Sequence, residues 1–224
     1  MFKPILFNTE MVKAILEGRK TQTRRLVKEI ALHAPYFELC DGTPYACDMY
    51  GEWHPAERFC RIQPGDILWV RETWQHVYNL DDGDQPIEGT GRYVYYADNP
   101  MPFDYWVDTD TGEHKEQMPW KPSIHMPKEA ARIFLRVKAV RVERLQDITE
   151  EQAEKEGCSA GRFPTYGPSD GFFEPPEEWT AVEDFQRVWD TTIKPADLDV
   201  YGWGANPWVW VIEFERIEKP RDWK

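Results

Sequence analysis

The 224-residue chain lacks the features of a membrane protein: no stretch approaches the ~20 consecutive apolar residues that a transmembrane helix needs. The opening residues MFKPILFNTEMV have no basic segment followed by an apolar one, the pattern of a signal peptide. Internal repeats and low-complexity segments are also missing. Since hydrophobic residues make up 41% of the chain and aromatic residues 14%, a mainly disordered chain is excluded. We therefore expect a single globular domain over residues 1–224, in the cytoplasm.

Positive charge is scarce too. The chain has 27 lysines and arginines against 40 aspartates and glutamates, a formal net charge of −13. Long nucleic acids are held by basic faces, so this balance argues against duplex DNA and long RNA as partners. It leaves room for a local basic pocket that binds a small polar ligand or one nucleotide. The sequence carries no signal for a membrane partner or for a particular oligomeric state.

Cysteine is rare, with four residues and no C-x-x-C motif. Cys40, Cys47, His54 and Cys60 form the pattern C-x6-C-x6-H-x5-C, which is a candidate zinc set. Structural zinc sites usually have tighter ligand spacing, with two to four intervening residues. We therefore predict ordinary reduced thiols, with no metal and no cofactor.

The hydrophobic pattern predicts an α+β protein. Capping boxes at Thr149/Gln152 and Thr180/Glu183 begin two helices, and Asn8 or Thr9 begins another. Strands are predicted at residues 4–7, 67–73, 91–97, 132–145 and 206–217. In the fourth of these, the apolar alternation changes parity, which indicates a bend or bulge. Strands at both ends and in the middle favour a small closed or half-closed β-barrel with peripheral helices.

The segment LEGRKTQTRR, residues 16–25, gathers four cations in an acidic chain. Gly18 is predicted to end the first helix, so the cations follow a helix terminus. Gly18-x-Lys20-x4-Arg25 resembles the G-x-K-x4-R signature of the ASCH domain family, a branch of the PUA-like β-barrel superfamily.

The flanks of this signature strengthen the resemblance, which is to the longer ASCH proteins of phages and prophages. It covers residues 4–27, 63–75, 119–157 and 180–217. It implies one ASCH domain built on a PUA-like small β-barrel, with long loop insertions at about 28–62, 76–118 and 158–179. We expect the first insertion to be irregular and to contain a small hairpin.

The resemblance implies a pocket that binds RNA or nucleotides. Small bacterial relatives in this family act as N4-acetylcytidine amidohydrolases through a lysine, a threonine and a glutamate, which match Lys20, Thr23 and Glu156. Attack by the Thr23 hydroxyl needs a base, and lysine serves only when burial or nearby positive charge lowers its pKa. A helix carboxyl terminus opposes that change. Lys20 is therefore either a base or a charged clamp.

Several interpretations remain open for these three residues: catalysis, ligand binding without turnover, and a buried Lys–Glu pair that fastens a helix end. An RNA-binding module without catalysis, an RNA-cleaving enzyme using Lys20 and His125, and a phage protein-interaction factor are the alternatives. The tryptophans are candidates to stack on a base, although most of the 11 are expected in the core. Asn206 is a candidate to read a base edge. The full set of candidate ligand-binding residues is Gly18, Arg25, Arg71, Glu72, Trp74, Trp120, Ser123, His125, Trp203 and Asn206.

Overall fold

The computed structural model describes residues 1–27, 36–40, 43–48, 50–103, 106–107, 113–162 and 178–223. The chain divides into two compact units. Unit 1 comprises Met1–Glu17, Ile67–Leu135 and Arg216–Lys224, and unit 2 comprises Gly18–Asp66 and Arg136–Glu215. The single ASCH domain with three insertions stays a prediction.

The strands, in chain order, are β1 (Phe2–Leu6), β2 (Gln22–Leu26), β3 (Tyr36–Cys40), β4 (Thr43–Cys47), β5 (Trp53–Pro55), β6 (Ile67–Arg71), β7 (Trp74–Val77), β8 (Arg92–Tyr95), β9 (Trp106–Val107), β10 (His114–Lys115), β11 (Phe134–Arg144), β12 (Gly161–Arg162), β13 (Glu178–Trp179) and β14 (Trp208–Ile217). The α-helices are α1 (Thr9–Leu16), α2 (Glu150–Lys155), α3 (Ala181–Thr192) and α4 (Leu198–Tyr201). Short 3₁₀ helices span Ala56–Phe59, Ser123–His125, Lys128–Ala130, Leu145–Asp147, Pro195–Asp197 and Trp203–Ala205. Within the described residues, no helix is both long and apolar enough to cross a membrane.

The main sheet has five strands in the order β1-β6-β11-β14-β2. β1 runs parallel to β6, and β14 runs antiparallel to β2. Helices and a mixed sheet confirm the predicted α+β class. The described strands form no closed barrel, so the PUA-like barrel stays a prediction.

Strand β2 was not predicted, because its sequence QTRRL is polar and rich in charge. It lies at the edge of the sheet against β14, whose apolar residues Val209, Val211 and Ile212 are buried. Pairing with this strongly apolar neighbour decides the conformation of a segment whose own propensity is weak. The basic segment therefore forms a sheet edge.

In unit 1, strands β7 and β8 form an antiparallel hairpin, with His76 opposite Tyr93 and Val77 opposite Arg92. Helix α1 is capped by Asn8, whose side chain accepts a hydrogen bond from the Met11 amide. The core of this unit is aromatic and centres on four buried side chains: Trp74, Met126, Phe134 and Trp223.

In unit 2, strands β3, β4 and β5 form a small antiparallel sheet, so the expected hairpin of the first insertion is present with a third strand. Helices α2 and α3 both begin with the predicted capping boxes. The Glu150 carboxylate of α2 accepts a hydrogen bond from the Ala181 amide at the start of α3, at 2.9 Å. Both helices pack on β14 around a buried cluster that includes Leu145, Phe185, Trp189, Val209 and Val211.

The predicted parity change in β11 is present as well. Leu135 and Val137 are buried in its first half, and Val142 is buried in its second half. Since neighbouring strand residues point to opposite faces, the buried residues change from odd to even positions within one strand. In the second half of the strand, the positions that alternate with Val142 include Glu143, which belongs to the candidate site.

Candidate functional site

The basic segment lies against the carboxyl end of α2, within unit 2. Carbonyl groups at a helix carboxyl end have no partner inside the helix and carry the negative end of its dipole. Three of them accept hydrogen bonds from this segment: Lys155 O from the Thr21 amide (2.9 Å), Glu156 O from Lys20 Nζ (2.7 Å) and Gly157 O from Arg19 Nη1 (3.0 Å). The cations therefore neutralise a helix terminus.

Lys20 and Glu156 form a buried ion pair at this terminus. Lys20 Nζ lies 2.7 Å from Glu156 Oε2 as well as 2.7 Å from the Glu156 carbonyl oxygen. Burial lowers the pKa of Lys20, and the Glu156 carboxylate opposes that change without reversing it. The ammonium group is thus easier to deprotonate than that of an exposed lysine.

Arg24 completes the charge balance around Glu156. Its Nη1 donates to Glu156 Oε1 at 3.1 Å, and its Nη2 donates to Gln152 Oε1 at 3.0 Å and to the Glu143 carboxylate. The Arg24 side chain is fully buried, and its Nε–H has no hydrogen-bond partner among the described residues. Lys20 and Arg24 face Glu156 and Glu143, and we call these four side chains the buried charge network. Glu143 also binds Arg141 Nε at 3.1 Å, so the network continues to a third cation.

Strand β2 sends neighbouring side chains to opposite faces of the sheet. Arg24 points towards Glu156, so its strand neighbour Thr23 points to the other face. Thr23 is buried and pairs in register with Ile212, and Arg25 pairs with Trp210. The structure therefore brings Lys20 and Glu156 into contact, and the Thr23 side chain lies on the face of β2 opposite that of Arg24.

A cavity of about 430 Å³ opens between β2 and the carboxyl end of α3, and we call it the β2–α3 cavity. Its lining carries three cationic residues, one acidic residue and two large aromatic residues: Arg24, Arg25, Lys194, Asp197, Trp189 and Tyr201. Trp189 Nε1 donates to the Tyr201 carbonyl oxygen at 2.9 Å, which fixes the indole ring in the cavity wall. Burial lowers the pKa of Arg25, and Glu156 opposes this change.

Three further candidates lie in unit 2. Gly18 has φ +79°, the left-handed conformation that the predicted helix stop requires. Trp203 packs against the core, with its ring centroid 6.3 Å from that of Phe185. Asn206 is also left-handed (φ 47°), and its side-chain oxygen accepts a hydrogen bond from the Gln146 amide at 2.9 Å. Its role in reading a base edge stays a prediction.

Glu72 and Arg71 belong to unit 1. Glu72 is buried and binds Arg132 through both oxygens, at 2.8 and 2.9 Å. Burial raises the pKa of Glu72, and Arg132 opposes this rise. Arg71 lies over the Trp69 ring at 5.6 Å and donates to the Ile124 carbonyl oxygen. Each side chain thus has a partner inside its own unit.

Trp74 and Trp120 also belong to unit 1. Trp74 is buried, with the Tyr93 ring centroid 5.7 Å away and the Lys121 ammonium 5.1 Å from its own ring. Trp120 Nε1 donates to the Pro100 carbonyl oxygen at 3.2 Å. Ser123 and His125 bound a 3₁₀ helix, the histidine exposed. A ligand contact at these residues stays a prediction.

The candidate zinc set is not gathered into one cluster. His54 Nε2 lies 3.0 Å from Asp48 Oδ2, and its Nδ1 lies 2.9 Å from Arg58 Nη1. Cys40 is exposed, and the other two cysteines of the pattern are buried. Over the described ranges, no three histidine, cysteine or acidic residues meet in a group that would hold a metal ion.

Sequence reasoning missed two partners of Arg24, Glu143 and Gln152, and one residue of the cavity wall, Tyr201. Glu143 was read only as part of a strand, Gln152 only as a capping residue and Tyr201 not at all. The parity change in β11 was the available signal for Glu143, since it turns an acidic residue towards the helix-covered face. The contacts of Tyr201 depend on the chain path after α3, for which the sequence holds no comparable signal.

Searches against protein-family models, curated proteins and solved structures found no match to this chain.

Proposed function

We propose that this chain binds a nucleoside or nucleotide in the β2–α3 cavity, as a member of the ASCH family with a PUA-like fold. The observation that carries the proposal is a cavity that combines cations with aromatic rings in a chain of net charge −13. Its volume of about 430 Å³ falls in the range of roughly 300–1,000 Å³ typical of small-molecule sites.

The lining suits the two ends of a nucleotide. Tyr201 supplies a ring for a base, because aromatic side chains stack on any base face. Trp189, which is buried in the core, forms part of the cavity wall. Lys194 is exposed and free to turn towards a phosphate, and Arg25 adds a second cation. One acid, Asp197, remains as an acceptor for an amino or hydroxyl group.

The buried charge network supports this site from behind. Arg24 lines the cavity while its guanidinium is held by Glu156, Glu143 and Gln152. Its Nε–H lacks a partner among the described residues, and an unmet buried donor costs about 1–3 kcal/mol. A ligand acceptor that reaches this group would remove that cost.

Hydrolysis of an acylated base, as in N4-acetylcytidine, is the candidate chemistry for Lys20, Thr23 and Glu156. The contact between Lys20 and Glu156, with the lowered pKa of Lys20, favours it. In this chemistry the Thr23 oxygen would attack the acyl carbon, Lys20 would take the hydroxyl proton, and the amide C–N bond would break. It requires Thr23, which points to the face of β2 opposite Arg24, to come within reach of Lys20 Nζ. Water then releases acetate, and the amino group of cytidine carries the transferred proton.

Binding is tested by calorimetric titration with cytidine, cytidine 5′-monophosphate and N4-acetylcytidine. We expect Tyr201→Leu to weaken the affinity for all three by about tenfold, since stacking contributes ~1–3 kcal/mol per base. Lys194→Met should weaken the monophosphate alone. Lys138→Met, an exposed cation on β11, is the matched control. Binding that is absent, or unchanged in both site variants, contradicts the proposal.

Turnover is tested separately by following acetate release from N4-acetylcytidine. Thr23→Ala should abolish release and leave cytidine binding intact. Binding without release makes the chain a binding module.

Affinity for single-stranded RNA that weakens in Arg25→Met and falls with added salt identifies RNA as the partner. RNA cleavage by Lys20 and His125, a phage protein-interaction role, cytoplasmic location and phage origin stay predictions.

A further inference from the structure

A cavity in unit 1 belongs to the insertion at 76–118, which the nucleoside proposal leaves without a role. It has a volume of about 570 Å³ and lies between the β7–β8 hairpin and the segment that contains Met101, Phe103 and Trp106. We call it the hairpin cavity. Its size again falls in the range of roughly 300–1,000 Å³ for small-molecule sites.

Aromatic rings dominate the wall of the hairpin cavity. Tyr78, Phe103 and Trp106 line it, together with the imidazole of His76. Tyr78 is 45% exposed and Phe103 is 36% exposed, although both belong to a concave surface. The His76 ring packs edge-on against Tyr78, with centroids 4.8 Å apart. Accessible ring faces in a concave wall are suited to a planar ligand.

The hairpin backbone is shaped to hold these rings. Gly91 precedes β8, and a Cβ atom there would lie 2.6 Å from the His76 ring and 3.0 Å from the Tyr78 ring. Only glycine lets both rings lie this close to the strand.

One cation, Arg92, lines the same cavity. It is exposed, its guanidinium lies 6.0 Å from the Phe103 ring centroid, and its Nη1 donates to Asn79 Oδ1 at 2.8 Å. No carboxylate pairs with it among the described residues, although the chain contains 40 acidic residues. Among the residues that the structure describes, the lining includes no acidic side chain. Arg92 is therefore oriented by a neutral amide and keeps donors for an anion.

We propose that the hairpin cavity binds a planar aromatic molecule that carries a negatively charged group. The rings of Tyr78, Phe103 and Trp106 contact its flat faces, and Arg92 pairs with its anionic group. This site does not depend on nucleoside binding in the β2–α3 cavity, because all of its residues belong to unit 1.

The test uses three small probes: indole-3-acetate, its neutral amide and cyclohexylacetate. Binding is followed by nuclear magnetic resonance on the ¹⁵N-labelled full chain, through chemical-shift changes that include the Trp106 indole N–H. We expect indole-3-acetate to bind at least fivefold more tightly than either other probe, since the amide lacks the charge and cyclohexylacetate lacks the ring. Equal affinities for all three probes, or no shift at Trp106, would overturn the proposal.

Two surface variants and one control connect the binding to named residues. Arg92→Met should remove the preference for the acetate over the amide, and Phe103→Leu should weaken both indole probes. Arg136→Met, an exposed cation of β11, should bind as the unchanged chain does. Nucleoside titrations on the same variants should be unaffected. A preference that survives Arg92→Met, or disappears in Arg136→Met, contradicts the assignment.

Discussion

Lys20 Nζ lies 2.7 Å from Glu156 Oε2, and the two side chains are 0% and 3% exposed. Taking two charges out of water is costly, and their attraction compensates only when further hydrogen bonds complete the geometry. Here those bonds come from Arg24, Gln152 and the Glu156 carbonyl group. The Lys20–Glu156 pair therefore lies in a hydrogen-bonded network that compensates for the removal of its charges from water.

Removing the carboxylate should be severely destabilising. In Glu156→Gln both Lys20 and Arg24 lose their shared anion, and breaking a buried pair typically costs about 3–5 kcal/mol. Urea denaturation measures the change in the free energy of unfolding. The control is Glu151→Gln, which removes an exposed ion pair with Lys155. Because surface ion pairs contribute little, this substitution should change the free energy of unfolding little. Equal decreases in the free energy of unfolding for the two variants would show that the buried charge network stabilises the fold no more than a surface ion pair does.

Removing the lysine should cost less than removing the glutamate. Glu156 keeps Arg24 as a partner in Lys20→Met, and the methionine retains most of the buried aliphatic volume. We therefore expect a smaller loss of unfolding free energy than in Glu156→Gln, measured by the same denaturation. A larger loss would mean that Arg24 does not compensate Glu156.

The start of α3 depends on Thr180. Its hydroxyl accepts a hydrogen bond from the Glu183 amide at 3.2 Å, and Glu183 Oε2 accepts one from the Thr180 amide at 2.7 Å. Thr180→Ala should lower the free energy of unfolding by about 1 kcal/mol, the usual effect of losing an N-cap. Thr191→Ala, in the last turn of the same helix, should have a much smaller effect. Thermal denaturation with equal shifts for both variants would argue against the cap.

Glu72 should make stability fall as pH rises. Its pKa in the folded chain is raised by burial, so above the ordinary value of 4.5 the folded state holds this proton after the unfolded state has lost it. Stability decreases with pH wherever the folded state binds more protons. The free energy of unfolding of the unchanged chain should therefore fall relative to that of Glu72→Gln as the pH rises above 4.5. If the unchanged chain instead gains stability relative to Glu72→Gln as the pH rises, the pKa of Glu72 is lowered in the folded state, contrary to this prediction.

The cysteines should differ in reactivity. Burial, with the nearby Asp184 charge, raises the pKa of Cys158 to about 12, so almost none of it is thiolate at neutral pH. Cys40 is exposed. Iodoacetamide at pH 8, followed by peptide mass spectrometry, should label Cys40 well before Cys158. Equal labelling rates would contradict the burial of Cys158.

The parts of the fold that local sequence decides were predicted well. Thr149 and Thr180 begin helices as expected, because a capping box needs only residues three positions apart. The parity change in β11 was equally readable. Strand β2 was not, because its pairing with β14 joins residues about 185 positions apart and its own composition is polar.

The candidate site shows the same division. The contact between Lys20 and Glu156 agrees with the suggestion of a partner carboxylate for the basic segment. The central place of Arg24 was missed, since it follows from strand alternation once β2 is known to be a strand. The β2–α3 cavity also needs the path of the chain after α3, which is a tertiary property.

Gln152 Oε1 accepts two hydrogen bonds, one from the Thr149 amide at the start of α2 and one from Arg24 Nη2. A single oxygen atom therefore connects the first turn of a six-residue helix to the buried charge network at the far end of that helix. So short a helix would open readily by itself. Local opening of α2 must also break the contact between Gln152 and Arg24. The amide hydrogens of α2 should therefore exchange with solvent no faster than β2 separates from the helix.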